Sequence, residues 1–126
     1  MTHAPTDITR IAALCERVWA KVPEARPTEE GFDLAFARDG EEWQYLSGIV
    51  YYSVSTQTAI ALIESACLHY LGEVRIYVPG DDDHRYAVHF EWDEYGPSEV
   101  FAPTLVEALL LAVEAKGKKE DHDGTR

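Results

Sequence analysis

The chain has 126 residues, a mass of 14.2 kDa and a hydrophobic fraction of 46%, a composition typical of one globular domain. Eleven Lys and Arg against 23 Asp and Glu give a net charge of −12 at pH 7, which disfavours direct binding to nucleic-acid phosphates. No apolar run reaches the roughly 20 residues that span a bilayer, so we expect no membrane contact.

The start of the chain has no basic region followed by an apolar core, so we expect no secretory signal and a cytoplasmic protein. Cys15 and Cys67 lie on predicted apolar helix faces, and we expect both to be buried free thiols. The acidic charge suits solubility, a basic protein partner or cations.

A first helix is predicted to begin at Asp7, a residue type that caps helices, and to end near Lys21. Its apolar residues recur at spacings of three and four: Ile8, Ile11, Ala12, Cys15, Val18 and Trp19. Residues 21–31 contain two prolines and are interpreted as a surface connection.

The next part of the chain carries one clear strand signal. Alternating apolar residues over 32–36, ahead of a turn at 38–40, predict a short strand. A partner strand over 43–46 is weakly marked. Residues 47–54 lack clean periodicity, and we expect an ordered loop that leads into the following helix.

That second helix can be capped by Ser55 or Thr56, keeps an apolar face as far as Leu71, and ends at Gly72. Period-two alternation then predicts strands over 73–78 and 86–92, with a short third strand over 99–101.

A polar segment at 79–84 is predicted to join the first two of these strands as a hairpin connection. Thr104 and Glu107 form a capping box ahead of the apolar run 105–113, which predicts a final helix. Residues 1–6 and 117–126 are predicted to be flexible termini around an ordered core of about 8–115 in a single domain, 1–126.

These elements predict an α+β fold, with an antiparallel sheet of three or more strands and packed helices in an α/β/α sandwich-like arrangement. The predicted order is α-(β)-α-β-β-(β)-α, where parentheses mark the weaker strands.

Three segments resemble the phage ABA sandwich domain, a family of small bacteriophage proteins. The run Tyr51-Tyr52-Ser53-Val54-Ser55-Thr56, followed by Ala59, resembles that family's entry to its central helix. Ala102-Pro103-Thr104-Leu105 with Glu107-Ala108 looks like its lead into the final helix, and residues 11–19 are similar to its opening helix.

The resemblance covers about residues 8–115. The chain departs from the family over 31–47, where it carries a longer acidic insert and retains only Trp43 of a tryptophan-rich segment. The resemblance implies an α/β/α sandwich of phage or prophage origin, and it implies no reaction and no catalytic residues.

One group of residues could support catalysis. His89 and Glu91 project from one side of a predicted strand, and Arg75 can lie across from them on its neighbour, an arrangement usable for acid–base chemistry. The alternative is a cross-strand polar cluster that stabilises the sheet modestly.

A second group is acidic. Asp81, Asp82 and Asp83 precede His84 and offer oxygen ligands, but the spacing of a calcium-binding loop is absent. We therefore predict a solvated hairpin tip, no metal site and no cofactor.

The remaining candidate is a set of aromatic residues beside carboxylates, which is typical of protein-binding surfaces. This candidate binding surface comprises Trp43, Tyr45, Tyr51 and Tyr52 with Glu41 and Glu42, together with Asp81, Asp82 and Asp83 at the hairpin tip.

The sequence thus favours a non-catalytic phage or prophage accessory protein that binds a host or phage protein. Inhibition of a defence or nucleic-acid-handling system is one role that an acidic surface suits. One alternative is a small enzyme or metal-dependent accessory that uses Arg75, His89 and Glu91. Another is a self-assembling module, a homo-oligomer, because residues 105–113 are apolar on more than one face.

Overall fold

The fold is built around a helix near the C terminus whose first half is apolar. A computed structural model describes residues 3–78, 86–92 and 96–124, with side chains described over 8–78, 86–90 and 98–117. The described helices are α1 (His3–Lys21), α2 (Thr56–Leu71) and α3 (Leu105–Gly124), with a 3₁₀ turn at Pro23–Ala25. The described strands are β1 (Thr28–Glu29), β2 (Phe32–Ala37), β3 (Glu42–Ser47), β4 (Val50–Val54), β5 (Arg75–Tyr77), β6 (Tyr86–Trp92) and β7 (Gly96–Ala102).

Helix α3 lies at the centre of the core. Helices α1 and α2 pack against it, and so do strands β6 and β7. Its buried residues point in all directions: Val106, Glu107, Ala108, Leu109, Leu110, Ala112, Val113 and Glu114. The second apolar face of this helix, which suggested self-assembly, is therefore covered within the chain itself.

Two buried carboxylates of α3 are bound by basic residues of α1. Arg10 donates to both oxygens of Glu107, at 2.6 and 3.2 Å, and Arg17 donates to both oxygens of Glu114, at 2.9 and 2.8 Å. Lys21 Nζ adds a third bond to Glu114 at 3.0 Å. Both bidentate pairs join residues 97 positions apart. The two helices therefore run parallel, and the two pairs are seven positions, about two turns, apart.

The strands form two antiparallel sheets. Four strands in the order β1-β2-β3-β4 precede α2, and three in the order β5-β6-β7 follow it. The α+β class, with antiparallel sheets and packed helices, is confirmed. The division into two sheets was not predicted, because the strand content before α2 was underestimated.

The expected loop over 47–54 is wrong. Residues 50–54 form strand β4, which pairs with β3 from Ser47 opposite Val50 to Trp43 opposite Val54. Alternation was obscured because exposed apolar residues occupy both faces of this strand, so the period-two signal disappears.

The segment 21–31 is not a surface connection throughout. Val22, Ala25 and Pro27 are buried. Arg26 lies over the Trp19 ring, 5.3 Å from its centroid, and donates from Nε to the carbonyl of Leu34 at 2.9 Å. The segment therefore ties α1 to the four-stranded sheet.

Several predicted element bounds are confirmed or adjusted. Ser55 caps α2 by accepting from the Thr58 amide at 3.1 Å, and Gly72 ends it with a φ of 80°. Strand β6 has the predicted bounds, whereas β5 is shorter and β7 longer than expected.

The outer helix ends also differ from the prediction. Helix α1 begins at His3, before the expected cap at Asp7, and α3 extends to Gly124. The predicted hairpin tip at 79–84 lies outside the described residues. Among the described helices, none is long and apolar enough to cross a membrane.

Both cysteines are free and buried, as predicted. Burial is the main cause that raises the pKa of each thiol, to about 12 for Cys67. Neither thiol is therefore prepared for nucleophilic chemistry near neutral pH.

Replacing Glu114 with Gln tests the ion pairs between α1 and α3. Burial raises the pKa of the Glu114 carboxyl, but the hydrogen bonds and charges of Arg17 and Lys21 together hold it below 4.5. Because this pKa is lower in the folded than in the unfolded chain, the pairs stabilise the fold above the unfolded-state value. That contribution is lost as the pH falls through the folded-state value.

We expect Glu114→Gln to lower the free energy of unfolding by about 1–3 kcal/mol at pH 7, and by much less at about pH 3. Urea unfolding at both pH values measures this. Glu24→Gln makes the same charge change at an exposed position and should cost under about 0.5 kcal/mol. Equal effects of the two variants would contradict the assignment.

Candidate protein-binding site

The inner face of the four-stranded sheet contacts the core along only part of the strands. Leu34 and Trp43 lie on this face and are buried. Trp43 is 1% exposed and packs edge-on against Phe36, with ring centroids 5.0 Å apart. Its place in the predicted binding surface is therefore wrong, because a buried ring cannot contact a partner.

The turn between β3 and β4 consists of Gly48 and Ile49. Gly48 has a φ of 64°, whereas Ile49 is outside the left-handed region. A glycine with positive φ at the first of two turn positions is the pattern of a type II′ turn, whose twist matches that of the paired strands. The Gly-X pair at 48–49 is the sequence signal that could have revealed this hairpin.

Four consecutive apolar or aromatic residues of this hairpin lie in solvent. The exposed fractions are 96% for Ile49, 49% for Val50, 56% for Tyr51 and 59% for Tyr52. We call these four residues the hairpin surface. Two of the four predicted aromatic residues, Tyr51 and Tyr52, belong to it, and Ile49 and Val50 were missed.

The base of the hairpin surface is ordered by contacts on the inner face. The Tyr52 ring packs against Phe32 with centroids 5.2 Å apart. Tyr45, directly opposite Tyr52, is half-buried and donates its hydroxyl to Glu29 at 3.1 Å. Burial and this bond raise the pKa of Tyr45. Tyr45 therefore helps to order the base of the hairpin surface and is not counted as part of it.

Carboxylates lie on both faces of the four-stranded sheet, beside Tyr45 on the inner face and, on the outer face, at the end of β3 away from the turn. On the outer face, Glu42 Oε2 accepts from Gln44 at 2.9 Å and from Ser53 Oγ at 3.0 Å. Both bonds lower the pKa of the Glu42 carboxyl, and the bond from Gln44 has the larger effect. Glu41 is exposed in the loop before β3.

Residues 28–54 contain six acidic side chains and one basic side chain, a balance of −5. The basic residue, Arg38, is already bound to Glu16 at 2.8 Å. Asp81, Asp82 and Asp83 lie outside the described residues, so their part in this surface stays a prediction.

The alternative catalytic group is partly assembled. Arg75 lies directly opposite His89 in the three-stranded sheet, and His89 lies opposite Glu99 on its other side. Glu99, which accepts from the Tyr77 hydroxyl, was missed because the register of β7 was unknown. The Glu91 side chain is outside the described set.

A cleft of about 380 Å³ beside this group is lined by Glu73, Val74, Arg75, His89 and Phe90. A histidine in a row with a cation and a carboxylate has the residue types for proton transfer. A cross-strand polar cluster that only stabilises a sheet surface contains the same residue types.

A smaller cavity of about 280 Å³ lies between α1 and the four-stranded sheet. Its walls are mainly apolar and include Cys15, Trp19 and Trp43. Arg26, the cation in its lining, is bound to the Leu34 carbonyl and the Trp19 ring.

No protein-family model, no curated protein and no solved structure matches the chain. The resemblance to the phage ABA sandwich domain therefore stays a prediction.

The conformation of Gly48 makes it the most sensitive position of the hairpin turn. An alanine there is strained by the positive φ, and we expect Gly48→Ala to lower the free energy of unfolding by about 1–2 kcal/mol. Gly40→Ala is the matched control, because Gly40 lies in the neighbouring loop outside the left-handed region and has open space around it. It should cost little. Urea unfolding of both variants measures the difference, and equal losses would argue against the type II′ turn.

Proposed function

We propose that this protein is a non-catalytic accessory protein that binds a protein partner through the hairpin surface. The observation that carries the proposal is the exposure of four adjacent apolar or aromatic residues on a well-formed hairpin. Clustered exposed apolar residues of this kind are typical of interaction sites, whereas isolated ones are common on any surface.

The hairpin surface combines aromatic anchors with a polar rim. Tyr51 and Tyr52 offer large rings whose burial dominates binding energies at interfaces. Both belong to a strand held by a complete ladder to β3, so little ordering free energy is needed to present them.

The charge of the four-stranded sheet favours a basic partner. Net charge −12 for the chain and −5 for residues 28–54 would steer a basic protein to this face and repel nucleic acid. A basic groove of a nucleic-acid-handling protein has the required complementarity. Inhibition of such a host or phage protein is the role proposed on this basis, and the resemblance to the phage ABA sandwich domain supports a phage or prophage origin.

The alternative is a small enzyme that uses the Arg75 and His89 pair. The specific observation in its favour is the cleft that borders both residues. The hairpin surface has the stronger claim, because clustered exposed apolar side chains are typical of interaction sites, whereas a cross-strand polar row also occurs where it only stabilises a sheet.

Photo-cross-linking can identify the partner and test the hairpin surface. A benzophenone amino acid replaces Tyr51 in one protein and Leu68, an exposed residue of α2, in another. We expect a discrete adduct in bacterial lysate from position 51 and not from position 68. The purified partner is then titrated by calorimetry against variants of the chain.

We expect the double variant Ile49→Ser, Tyr51→Ser to bind the purified partner about a hundredfold more weakly, because each anchor contributes about 1–2 kcal/mol. Leu68→Ser should bind within about twofold of the unchanged protein. Thermal unfolding verifies that each variant stays folded. If His89→Ala abolishes binding and the double variant does not, the hairpin proposal is wrong and the alternative gains support.

Salt dependence tests the role of charge separately. We expect the dissociation constant for the same partner to rise by about tenfold or more between about 50 mM and 500 mM NaCl, since exposed charges are screened. Calorimetry at several salt concentrations measures the slope. An affinity independent of salt would remove charge mimicry while leaving an apolar contact at the hairpin.

A further inference from the structure

We propose that β4 binds an extended basic segment of the partner as a fifth strand of the four-stranded sheet. This inference rests on the proposed function and specifies how the hairpin surface is used. Addition of a strand to a sheet edge supplies affinity through main-chain hydrogen bonds and specificity through alternating side chains.

The outer edge of β4 offers the required main-chain groups. Among the described residues, β4 pairs with β3 alone. Every second residue of an edge strand directs its amide and carbonyl away from the sheet. The outer edge of β4 thus presents a row of donors and acceptors to solvent.

Strand β4 lacks three of the features by which sheet edges usually avoid pairing. It contains no proline and no lysine, and its five consecutive pairs with β3 leave no room for a bulge. Its residues, Val50 to Val54, are mostly of types that favour strands. Protection of that kind is common on natural edges, so its absence here favours a use for the edge.

The strand is also held at both ends. The type II′ turn fixes its start, and at its end Val54 lies opposite the buried Trp43, one residue before the cap of α2 at Ser55. A strand that is already formed costs a partner little in ordering, because the loss of entropy falls mainly on the incoming segment.

The other edge strands are less suitable. Strands β1 and β5 have only two and three residues. Strand β7 has seven residues but contains Pro97, a residue type that lacks the amide donor and is typical of edges that avoid pairing. The edge of β4 is therefore preferred.

The acidic charge of the sheet determines which kind of segment can bind at the edge of β4. A second copy of this chain would bring two acidic sheets together, with a balance of −5 on each, and like charges oppose that pairing. A basic segment is attracted instead. The nearest carboxylate is Glu42, which is bonded to Ser53 on β4 itself.

The two faces of β4 determine which side-chain types the incoming segment should carry at alternate positions. Tyr51 and Ser53 lie on the outer face with Glu42, while Val50 and Tyr52 lie on the inner face. Residues paired across strands share a face. The segment should therefore alternate lysine or arginine, opposite Tyr51 and Ser53, with aliphatic residues opposite Val50 and Tyr52.

The test uses a short capped peptide in which valine and lysine alternate, titrated into ¹⁵N-labelled protein and followed by amide chemical shifts. We expect weak saturable binding, with the largest shifts along β4. A peptide with glutamate in place of lysine should not bind. Two further lysine peptides carry N-methyl groups on alternate amides, one in each of the two registers.

Strand addition requires that the two N-methylated peptides differ. In one register the methyl groups block the amides that bond to β4, and binding should fall at least about tenfold. In the other register they face solvent, and binding should stay within about twofold. Glu42→Gln should weaken the lysine peptide by about threefold or more, whereas Glu30→Gln, at the opposite edge of the sheet, should not.

The outcomes separate this inference from the proposed function. Equal binding by both N-methylated peptides, or no shift with the lysine peptide at millimolar concentration, overturns strand addition even if hairpin variants still lose the natural partner. Shifts along β4 that grow with protein concentration alone would make a second copy the occupant and overturn the basic segment. The proposed function itself is tested separately, by calorimetry of the natural partner with the double variant Ile49→Ser, Tyr51→Ser.

Discussion

Burial of residues 106–114 of α3 is the constraint on which the rest of the structure depends. A helix that is apolar around its circumference cannot be covered by one neighbour, so α1, α2 and the three-stranded sheet each cover part of it. Two of its carboxylates, Glu107 and Glu114, enter the core with it. Buried carboxylates are tolerated only when they are paired and hydrogen-bonded, and the arginines of α1 meet that need. The same pairs fix the parallel direction and the register of α1 along α3.

The four-stranded sheet has a different part in this arrangement. Because the helices and the three-stranded sheet already surround α3, it is needed in the core only through Leu34, Trp43 and the residues packed against them. The far end of β3 and β4 extends past that contact. The hairpin surface is exposed for this reason: the strands are held at their base by the core, and their tip is free of it.

An exposed apolar edge strand is a hazard for a protein in solution, since it can pair with another copy. The acidic charge of this chain counters that hazard at long range, because two copies repel each other before their edges can meet. In the proposed function, the same charge also attracts a basic partner. Salt should therefore weaken both the repulsion between copies and the attraction of a basic partner.

The sequence by itself determined the elements whose signals are local. The sequence places the cap of α2 at Ser55 or Thr56, and the structure selects Ser55. The cap at Thr104, the end of α2 at Gly72 and the alternation over 86–92 also predicted their elements, because neighbouring residues decide them. Strand β4 was missed because its exposed apolar residues erase the alternation, and Trp43 was misplaced because a ring beside two glutamates gives no sign of which face of a strand it occupies. Only the tertiary structure decided that Trp43 lies in the core and that Ile49 to Tyr52 lie outside it, because burial depends on pairing between distant strands and on how far the core reaches.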